Sequence, residues 1–367
     1  MSAVRVLAAV AATAVLLTAT ACNDGQNRVA AAPAPTTGPS ATGGAALPPA
    51  AASAAGSARP TAASSATGAG RSAAPARAAA AACDPVPAGS YWRAEVSRLP
   101  RHARSATYVA SIGTGASLTA DFGSGQWDGG PIGIPVTVAP AGTPSVPVRF
   151  DYADESDRGP YRIPRNAKIE GGPSGSGDRH IIVYDPAACR AYELFDAHPA
   201  GNGWQAGSGA VYDLHSQRLR PDGWTSADAA GLPILPGLVR YEEVAAGHVD
   251  HAVRITVPRS QAAHLWPARH HAGRPDSALP PMGLRLRLRA GVDPNRFPPQ
   301  ARAVVRALQT YGAIVADNGS AWYVSGAPDQ RWNNDQLQTL KRLKGSDFEA
   351  VDATGLMVNR NSAAARS

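Results

Sequence analysis

Short alternating apolar segments, separated by Gly and Pro, dominate the chain from Tyr91 onward. The clearest is 284–289, where leucine and arginine alternate, so the leucines should face a core and the arginines solvent. Asp185-Pro186 is a turn signal between two such segments and predicts a hairpin or neighbouring strands. Strands are predicted at 181–184, 191–195, 210–214, 252–257, 284–289, 313–316 and 322–325.

Two stretches late in the chain have helical spacing instead. The first follows Pro298-Pro299 and ends at Gly312, and the second runs from about residue 335 to residue 344 before Gly345. No internal repeat is visible, which argues against a propeller or a solenoid. Many short strands with two late helices predict a mainly β fold, a single β-sandwich or jelly-roll-like domain with at least two helices packed on it.

The first 21 residues have the features of an export signal. Arg5 precedes an apolar run at 6–17 and small residues follow, and the run is too short for a stable membrane span. Cys22 comes directly after Ala21, as in a bacterial lipobox, which predicts a lipid-modified Cys22. The alternative is an ordinary cleaved signal in which Cys22 has no role. We therefore expect the protein on the extracellular face of the membrane, anchored by lipid, or secreted.

Residues 22–82 consist almost entirely of Ala, Pro, Gly, Ser and Thr, and we expect a disordered tether because such a segment buries little apolar surface. Five arginines and one aspartate precede residue 83, so more than half of the net charge of +7 lies outside the predicted β-rich domain at 83–355. The domain is nearly neutral, which argues against nucleic acid as a partner. Residues 356–367 are expected to be a disordered tail.

Two cysteines remain after Cys22. In an oxidising compartment, Cys83 and Cys189 are expected to form a disulfide that fastens the start of the domain to an interior strand. The alternative is a buried free Cys189 with Cys83 unpaired at the edge of the tether. A zinc site would need paired cysteine spacing that the chain lacks.

Six strings resemble a family of secreted bacterial proteins that has no assigned activity. They are FDYADESD (150–157), GDRH (177–180), GWTSADAAGLPI (223–234), PGLVRYEE (236–243), WPARH (266–270) and YGAIVADNG (311–319). The resemblance covers roughly residues 110–352 and implies one extracellular domain. In that family a His-Pro pair often precedes the Asp-Phe-Gly found here at 121–123, where this chain has Thr119-Ala120.

Acidic side chains on predicted strands are the candidate catalytic groups. Glu193 and Asp213 fall within strands, and paired carboxylates on a sheet face are typical of polysaccharide-cleaving enzymes. Asp228 could act as a general acid or base in a cleft. The alternatives are that Glu193 and Asp213 face solvent and that Ser226 or Asp228 caps exposed backbone amides. Asp317-Asn318-Gly319 is interpreted as a tight turn between strands.

The histidines suggest acid–base assistance rather than metal binding. His251 is expected to be buried and hydrogen-bonded to a carboxylate, as a structural or catalytic group. The other histidines near it in sequence lack the compact spacing of zinc motifs, so no metal and no cofactor is predicted.

Tryptophans are numerous for a chain that is 6% aromatic, and several adjoin Gly or Pro. Trp224 and Trp266 are the candidates for stacking on sugar rings, and about half of the tryptophans should be core. No serine-hydrolase elbow, phosphate-binding loop or dinucleotide fingerprint occurs. Three hypotheses follow: a hydrolase or lyase acting on extracellular polysaccharide, a non-catalytic carbohydrate- or cell-wall-binding lipoprotein, and a structural envelope protein.

Overall fold

The computed structural model describes residues 83–366. The predicted signal at 1–21, the lipid-modified Cys22 and the tether at 22–82 lie outside the described residues. Within the described part, strands outnumber helices, and the β-rich fold expected from the sequence is confirmed. No helix of that part is both long enough and apolar enough to cross a membrane.

Most of the strands are short, and they alternate with a few short helices. The strands are β1 (Thr119–Asp121), β2 (Gln126–Trp127), β3 (Gly130–Pro131), β4 (Val136–Val138), β5 (Val148–Phe150), β6 (Ile181–Asp185), β7 (Arg190–Phe195), β8 (His198–Ala200), β9 (Gly203–Ala206), β10 (Ser208–Asp213), β11 (Val253–Val257), β12 (Arg285–Leu288), β13 (Ala313–Asn318), β14 (Tyr323–Ser325) and β15 (Phe348–Ala350). The α-helices are α1 (Ser105–Ile112), α2 (Tyr241–Ala245), α3 (Pro299–Thr310) and α4 (Asn334–Gln338).

A six-stranded mixed sheet with the order β1-β14-β11-β13-β12-β15 forms the larger part of the fold. Helix α3 contacts β12, and helix α1 contacts β15. Val304 and Leu308 of α3 belong to the same buried cluster as Val253, Ile255 and Leu286 of the sheet. Helix α3 and the sheet bury their apolar side chains in one core. This core holds β11, β13 and β14 in place and so positions the residues on these strands.

A second sheet has the order β10-β7-β6-β4. The predicted hairpin is present, because β6 pairs with β7 in antiparallel register across the Asp185-Pro186 turn. Ile181 and Val183 pack in one cluster with Trp204 of the three-stranded sheet β5-β9-β8. Ile182 instead packs in another cluster with residues of the 234–238 segment. Both faces of β6 are therefore covered.

A disulfide joins Cys83 to Cys189, with an S–S distance of 2.09 Å and a sequence separation of 106 residues. The predicted pairing is confirmed, and the alternative of two free cysteines is wrong. Cys189 is buried immediately before β7, and the carbonyl oxygen of Cys83 accepts a hydrogen bond from the Tyr184 hydroxyl. The start of the described chain is thus fastened to the four-stranded sheet.

The predicted outward orientation of all the β12 arginines is wrong. Arg285 is buried and donates to the backbone carbonyls of Tyr91 and Tyr311. Arg287 is half-buried and pairs with Glu349 on the neighbouring strand β15. The reason is that segments on both sides of the sheet supply acceptors, so neither face of β12 is left to solvent.

Two segment predictions also need correction. Residues 356–366 are not disordered: Ser362 and Ala364 form bridge pairs with Arg218 and Ser90, so backbone hydrogen bonding holds this segment on the domain. The predicted helix at 335–344 is shorter, because α4 ends at Gln338 and tightens into a 3-10 turn at Thr339–Arg342.

Candidate active site

Polar side chains from four adjacent strands form a row across the six-stranded sheet. Asp121 of β1 lies directly opposite Ser325 of β14 in parallel register. On the edge of β14 opposite β1, β11 pairs with β14. The guanidinium of Arg254 on β11 donates a hydrogen bond to the Ser325 hydroxyl at 2.6 Å. The pairing of β11 with β13 shifts register just before Asp317 of β13. Oδ2 of Asp317 lies 3.3 Å from Nη2 of Arg254. The sheet register thus gathers an acid, a hydroxyl, a guanidinium and another acid.

Arg254 makes its main contact with Asp228, whose side chain is buried. Nε and Nη2 of Arg254 donate to the two carboxylate oxygens of Asp228 at 3.0 and 2.7 Å. Burial alone would lower the pKa of Arg254, but the charge of Asp228 and its hydrogen bonds raise it above the usual value. Both side chains are almost completely buried, so the ion pair is a fixed, charge-compensated element of the site.

The turn that carries Asp228 is held by a serine. The backbone amide of Asp228 donates to the Ser226 hydroxyl at 2.9 Å, and that hydroxyl donates to the carbonyl of Leu232 at 2.7 Å. Gly231 has a φ of +69°, which favours glycine. The prediction that Asp228 faces a cleft is therefore wrong, because its carboxylate is buried against Arg254. Of the two residues proposed as amide caps, Ser226 accepts a backbone amide, whereas the Asp228 carboxylate accepts none within the described residues.

Among the aspartates of this row, Asp317 is the one whose pKa is raised most. Burial raises its pKa well above the usual range, and the negative charge of neighbouring Asp228 raises it further, outweighing Arg254. The Asp228 carboxylate accepts two hydrogen bonds from Arg254, whereas Asp317 has a single contact of 3.3 Å with that guanidinium, so the raised pKa of Asp317 favours its protonated form. Its side chain is 19% exposed, which leaves that proton within reach of solvent. The interpretation of 317–319 as only a turn is wrong, because Asp317 still belongs to β13.

A histidine and a glutamate complete the site from the segment before β6. The two ring nitrogens of His180 lie 2.5 Å from Oε2 of Glu170 and 2.9 Å from the carbonyl oxygen of Ala227. Burial opposes the charged imidazolium, but the charge of Glu170 and its hydrogen bond raise the pKa of His180 to about 9. Burial likewise opposes ionisation of Glu170, but His180 holds its pKa below the usual value. They form a buried ion pair.

Arg179 fixes the backbone between these groups. It has a φ of +50°, and its buried guanidinium donates to the carbonyls of Gly175 and Ala197 at 2.6 and 3.1 Å. These hydrogen bonds connect the loop before β6 to the segment between β7 and β8. The side chains of Asp178 and His180, on either side of Arg179, are thereby positioned.

Two carboxylates of the site are exposed. No side chain within residues 83–366 pairs with the carboxylate of Asp121 or of Asp178. Partial withdrawal from water raises the pKa of Asp121 to about 6, and the charges of Glu170 and Asp178 add to this shift while Arg254 opposes it. The charge of Asp178 also raises the pKa of Asp317, so Asp178 acts electrostatically on both Asp121 and Asp317. We call the whole set the acidic site: Asp121, Glu170, Asp178, His180, Asp228, Arg254 and Asp317.

Of the predicted catalytic residues, only Asp228 belongs to the acidic site. Glu193 is fully buried near it and accepts the backbone amides of Ile234 and Leu235 at 2.8 and 2.9 Å. Burial raises the pKa of Glu193 to about 7 although these amides oppose the shift. The alternative that Glu193 faces solvent is wrong, and its carboxylate ties β7 to the 234–235 backbone.

Asp213 and His251 lie elsewhere. Asp213 is exposed at the end of β10, where its carboxylate pairs loosely with Arg190 at 3.8 Å, as the solvent-facing alternative predicts. His251 is buried and faces Glu243 at 3.2 Å and the carbonyl of Ala252, so the prediction of a buried histidine beside a carboxylate is confirmed. Within the described residues, no group of three or more His, Cys, Asp or Glu side chains could hold a metal ion.

The two predicted stacking tryptophans are only partly exposed. Trp266 donates its indole N–H to the carbonyl of Ser362 at 2.9 Å and packs edge-on against Tyr91. Trp224 lies under the Arg220 guanidinium, 5.5 Å from its ring centroid. Neither presents a free ring face as large as that of Trp127, which is 63% exposed and which the sequence did not single out.

Sequence reasoning missed Asp121, Glu170, Asp178, His180 and Arg254. For Asp121, Asp178 and His180 the available signal was their place in the strings Asp-Phe-Gly and GDRH, whose polar residues have no obvious turn or capping role; Glu170 and Arg254 lie in none of the strings. Comparison with known proteins gave no match: no protein-family model, no curated protein and no solved structure is similar to this chain.

Proposed function

We propose that the protein is a glycoside hydrolase acting on extracellular polysaccharide, with the acidic site as its catalytic centre. One observation carries the proposal: Asp317, whose pKa is raised well above the usual range, is within electrostatic reach of Asp178, an exposed acid that no side chain pairs with in residues 83–366. Two carboxyl groups with opposite protonation states are what glycoside hydrolysis requires.

In this proposal Asp317 is the general acid and Asp178 the general base. Asp317 donates its proton to the glycosidic oxygen while the bond from that oxygen to the anomeric carbon breaks. Asp178 takes a proton from the water that attacks the anomeric carbon, so the elements of water are added across the broken bond. Arg254 positions Asp317 by its contact of 3.3 Å, and the charge of Asp228 raises the pKa of Asp317 and so favours its protonated form.

The charge distribution favours hydrolysis over the elimination catalysed by lyases. Elimination acts on uronic acids, whose carboxylates need accessible cations. Here the two cations, Arg254 and His180, are buried and already paired with Asp228 and Glu170. The accessible groups, Asp121 and Asp178, are acids that would repel an anionic sugar. The proposed substrate is therefore an uncharged glycan or one that carries amino sugars.

The proposal includes the setting expected from the sequence. Export by the 1–21 signal, anchoring through a lipid on Cys22 and membership of the family of secreted bacterial proteins all fit an enzyme that acts outside the cell. Packing between the β7-β6 sheet and the β5-β9-β8 sheet supports a sandwich-like core as the scaffold. The second candidate function is non-catalytic glycan or cell-wall binding, which the exposed Trp127 favours.

The test incubates the purified full chain with a panel of neutral, amino-sugar and uronic-acid polysaccharides. We expect new reducing ends on at least one neutral or amino-sugar polymer, without the ultraviolet absorbance of unsaturated sugars. Absorbance on a uronic-acid polymer would replace hydrolysis with elimination. A folded protein that cleaves no polymer but binds one would move the assignment to glycan binding.

A further inference from the structure

Trp127 differs from the other tryptophans in its exposure. All seven lie in the described part of the chain, and four are buried. Trp224 and Trp266 are half-buried and engaged with other side chains. Trp127 leaves 63% of its surface exposed to solvent. Tryptophan is highly buried on average, so Trp127 is the tryptophan of the described residues whose ring is most available to a ligand.

The hairpin that carries Trp127 has a fixed geometry. β2 pairs with β3, so that Trp127 lies opposite Gly130. The two residues between them, Asp128 and Gly129, have φ values of +48° and +83°. Positive φ at both central positions defines the type I′ turn, for which Asp-Gly is a preferred sequence. Trp127 therefore projects from a tight, regular hairpin.

This hairpin is held beside the acidic site from two directions. It follows Asp121 in the chain after Phe122 and Gly123, and the Gly123 amide donates to the carbonyl of Ile132 at 3.1 Å. On the other side Gly130 approaches the backbone of Gly171, the residue after Glu170, so closely that an added Cβ would lie 2.3 Å from its carbonyl carbon. The hairpin that carries Trp127 thus adjoins the segments that carry Asp121 and Glu170.

We propose that Trp127 is a substrate-binding platform that stacks on a pyranose ring of the glycan in the acidic site. The inference rests on the proposed function for the identity of the ligand. A pyranose ring has one face of C–H groups that covers an indole, and its hydroxyls stay in water or meet carboxylates. The acids of the adjoining acidic site favour an uncharged or amino-sugar ring over an anionic one.

The test measures binding of N-acetylchitohexaose, cellohexaose and xylohexaose by titration calorimetry. It uses the full chain with Asp178→Asn, so that nothing is cleaved. We expect at least one hexasaccharide to bind, and Trp127→Ala to weaken that binding roughly 10- to 100-fold. Trp127→Tyr, which keeps a ring, should restore most of the affinity. The matched control is Tyr152→Ala, which removes an aromatic that is 55% exposed on another segment.

The outcomes separate the inference from the function on which it rests. Equal affinity of the Trp127→Ala and parent proteins, or no binding of any hexasaccharide, would overturn the platform. Trp127-dependent sedimentation with phosphatidylglycerol vesicles in the absence of glycan binding would assign the indole to a membrane instead. Trp127-dependent glycan binding by a protein that cleaves no polymer would leave the platform in place and remove only hydrolysis.

Discussion

His180 links a single residue to the stability of the domain. Both of its ring nitrogens face oxygen acceptors, which only the doubly protonated imidazolium satisfies. Because the pKa is raised from 6.5 to about 9, folding favours the charged form. The resulting stability is fully present below the unfolded pKa of 6.5 and is lost as the pH rises through about 9.

We predict that His180→Gln flattens the fall of unfolding free energy between pH 6.5 and pH 9. Over that interval the parent should lose about 3 kcal/mol more unfolding free energy than the His180→Gln variant. Urea denaturation at closely spaced pH values measures it. The control is His198→Gln, since His198 makes a similar contact with Asp196 on the surface. A His180→Gln protein that keeps the slope of the parent would contradict the ion pair.

At the same scale, sequence alternation identified which residues lie on strands but not what covers each face. Glu193 and Arg285 sit at polar positions of alternating segments, where solvent exposure is the usual outcome. Glu193 is instead buried against the 234–235 amides and Arg285 against two backbone carbonyls. Their partners come from loops distant in sequence, which no local pattern specifies.

At the scale of elements, the disulfide between Cys83 and Cys189 closes a long covalent loop in the described part of the chain. It joins two residues that are 106 positions apart, so in the unfolded state it restricts a long stretch of chain. Replacing Cys83 and Cys189 by serine should lower the unfolding free energy by about 4–5 kcal/mol in the chain-entropy treatment.

Urea denaturation of the double serine variant and of the reduced parent provides the measurement. Both should show a lower urea midpoint than the oxidised parent, by similar amounts. A midpoint unchanged by reduction would mean that the loop closure contributes no stability to the domain.

Most longer elements were predictable from periodicity, including the β6–β7 hairpin and α3. The short strands β1, β2 and β3 were not, because two or three residues carry no period. The acidic site depends on these pieces: β1 brings Asp121 opposite Ser325, more than 200 positions away in the chain. Such a register is set by tertiary packing, so the site could not be assembled from sequence patterns.

At the scale of the whole molecule, segments around Asp121, Asp178, Arg254 and Asp317 converge on the acidic site, which we propose cleaves a glycosidic bond. Three of these residues are acids that the fold holds near one another against their mutual repulsion. Such an arrangement lowers stability unless the ion pairs compensate for it, and it is typical of a functional site.

The most direct measurement is the rate of glycan hydrolysis by the full chain and by single Asp→Asn variants, on the polymer that the parent cleaves. Asp178→Asn and Asp317→Asn should each lower kcat by about 10²- to 10⁴-fold, with urea midpoints near that of the parent. Asp213→Asn, which changes an exposed acid at the end of β10, should leave kcat within about twofold. Parental rates in both site variants, or no cleavage of any polymer by the folded parent, would contradict the proposed hydrolysis.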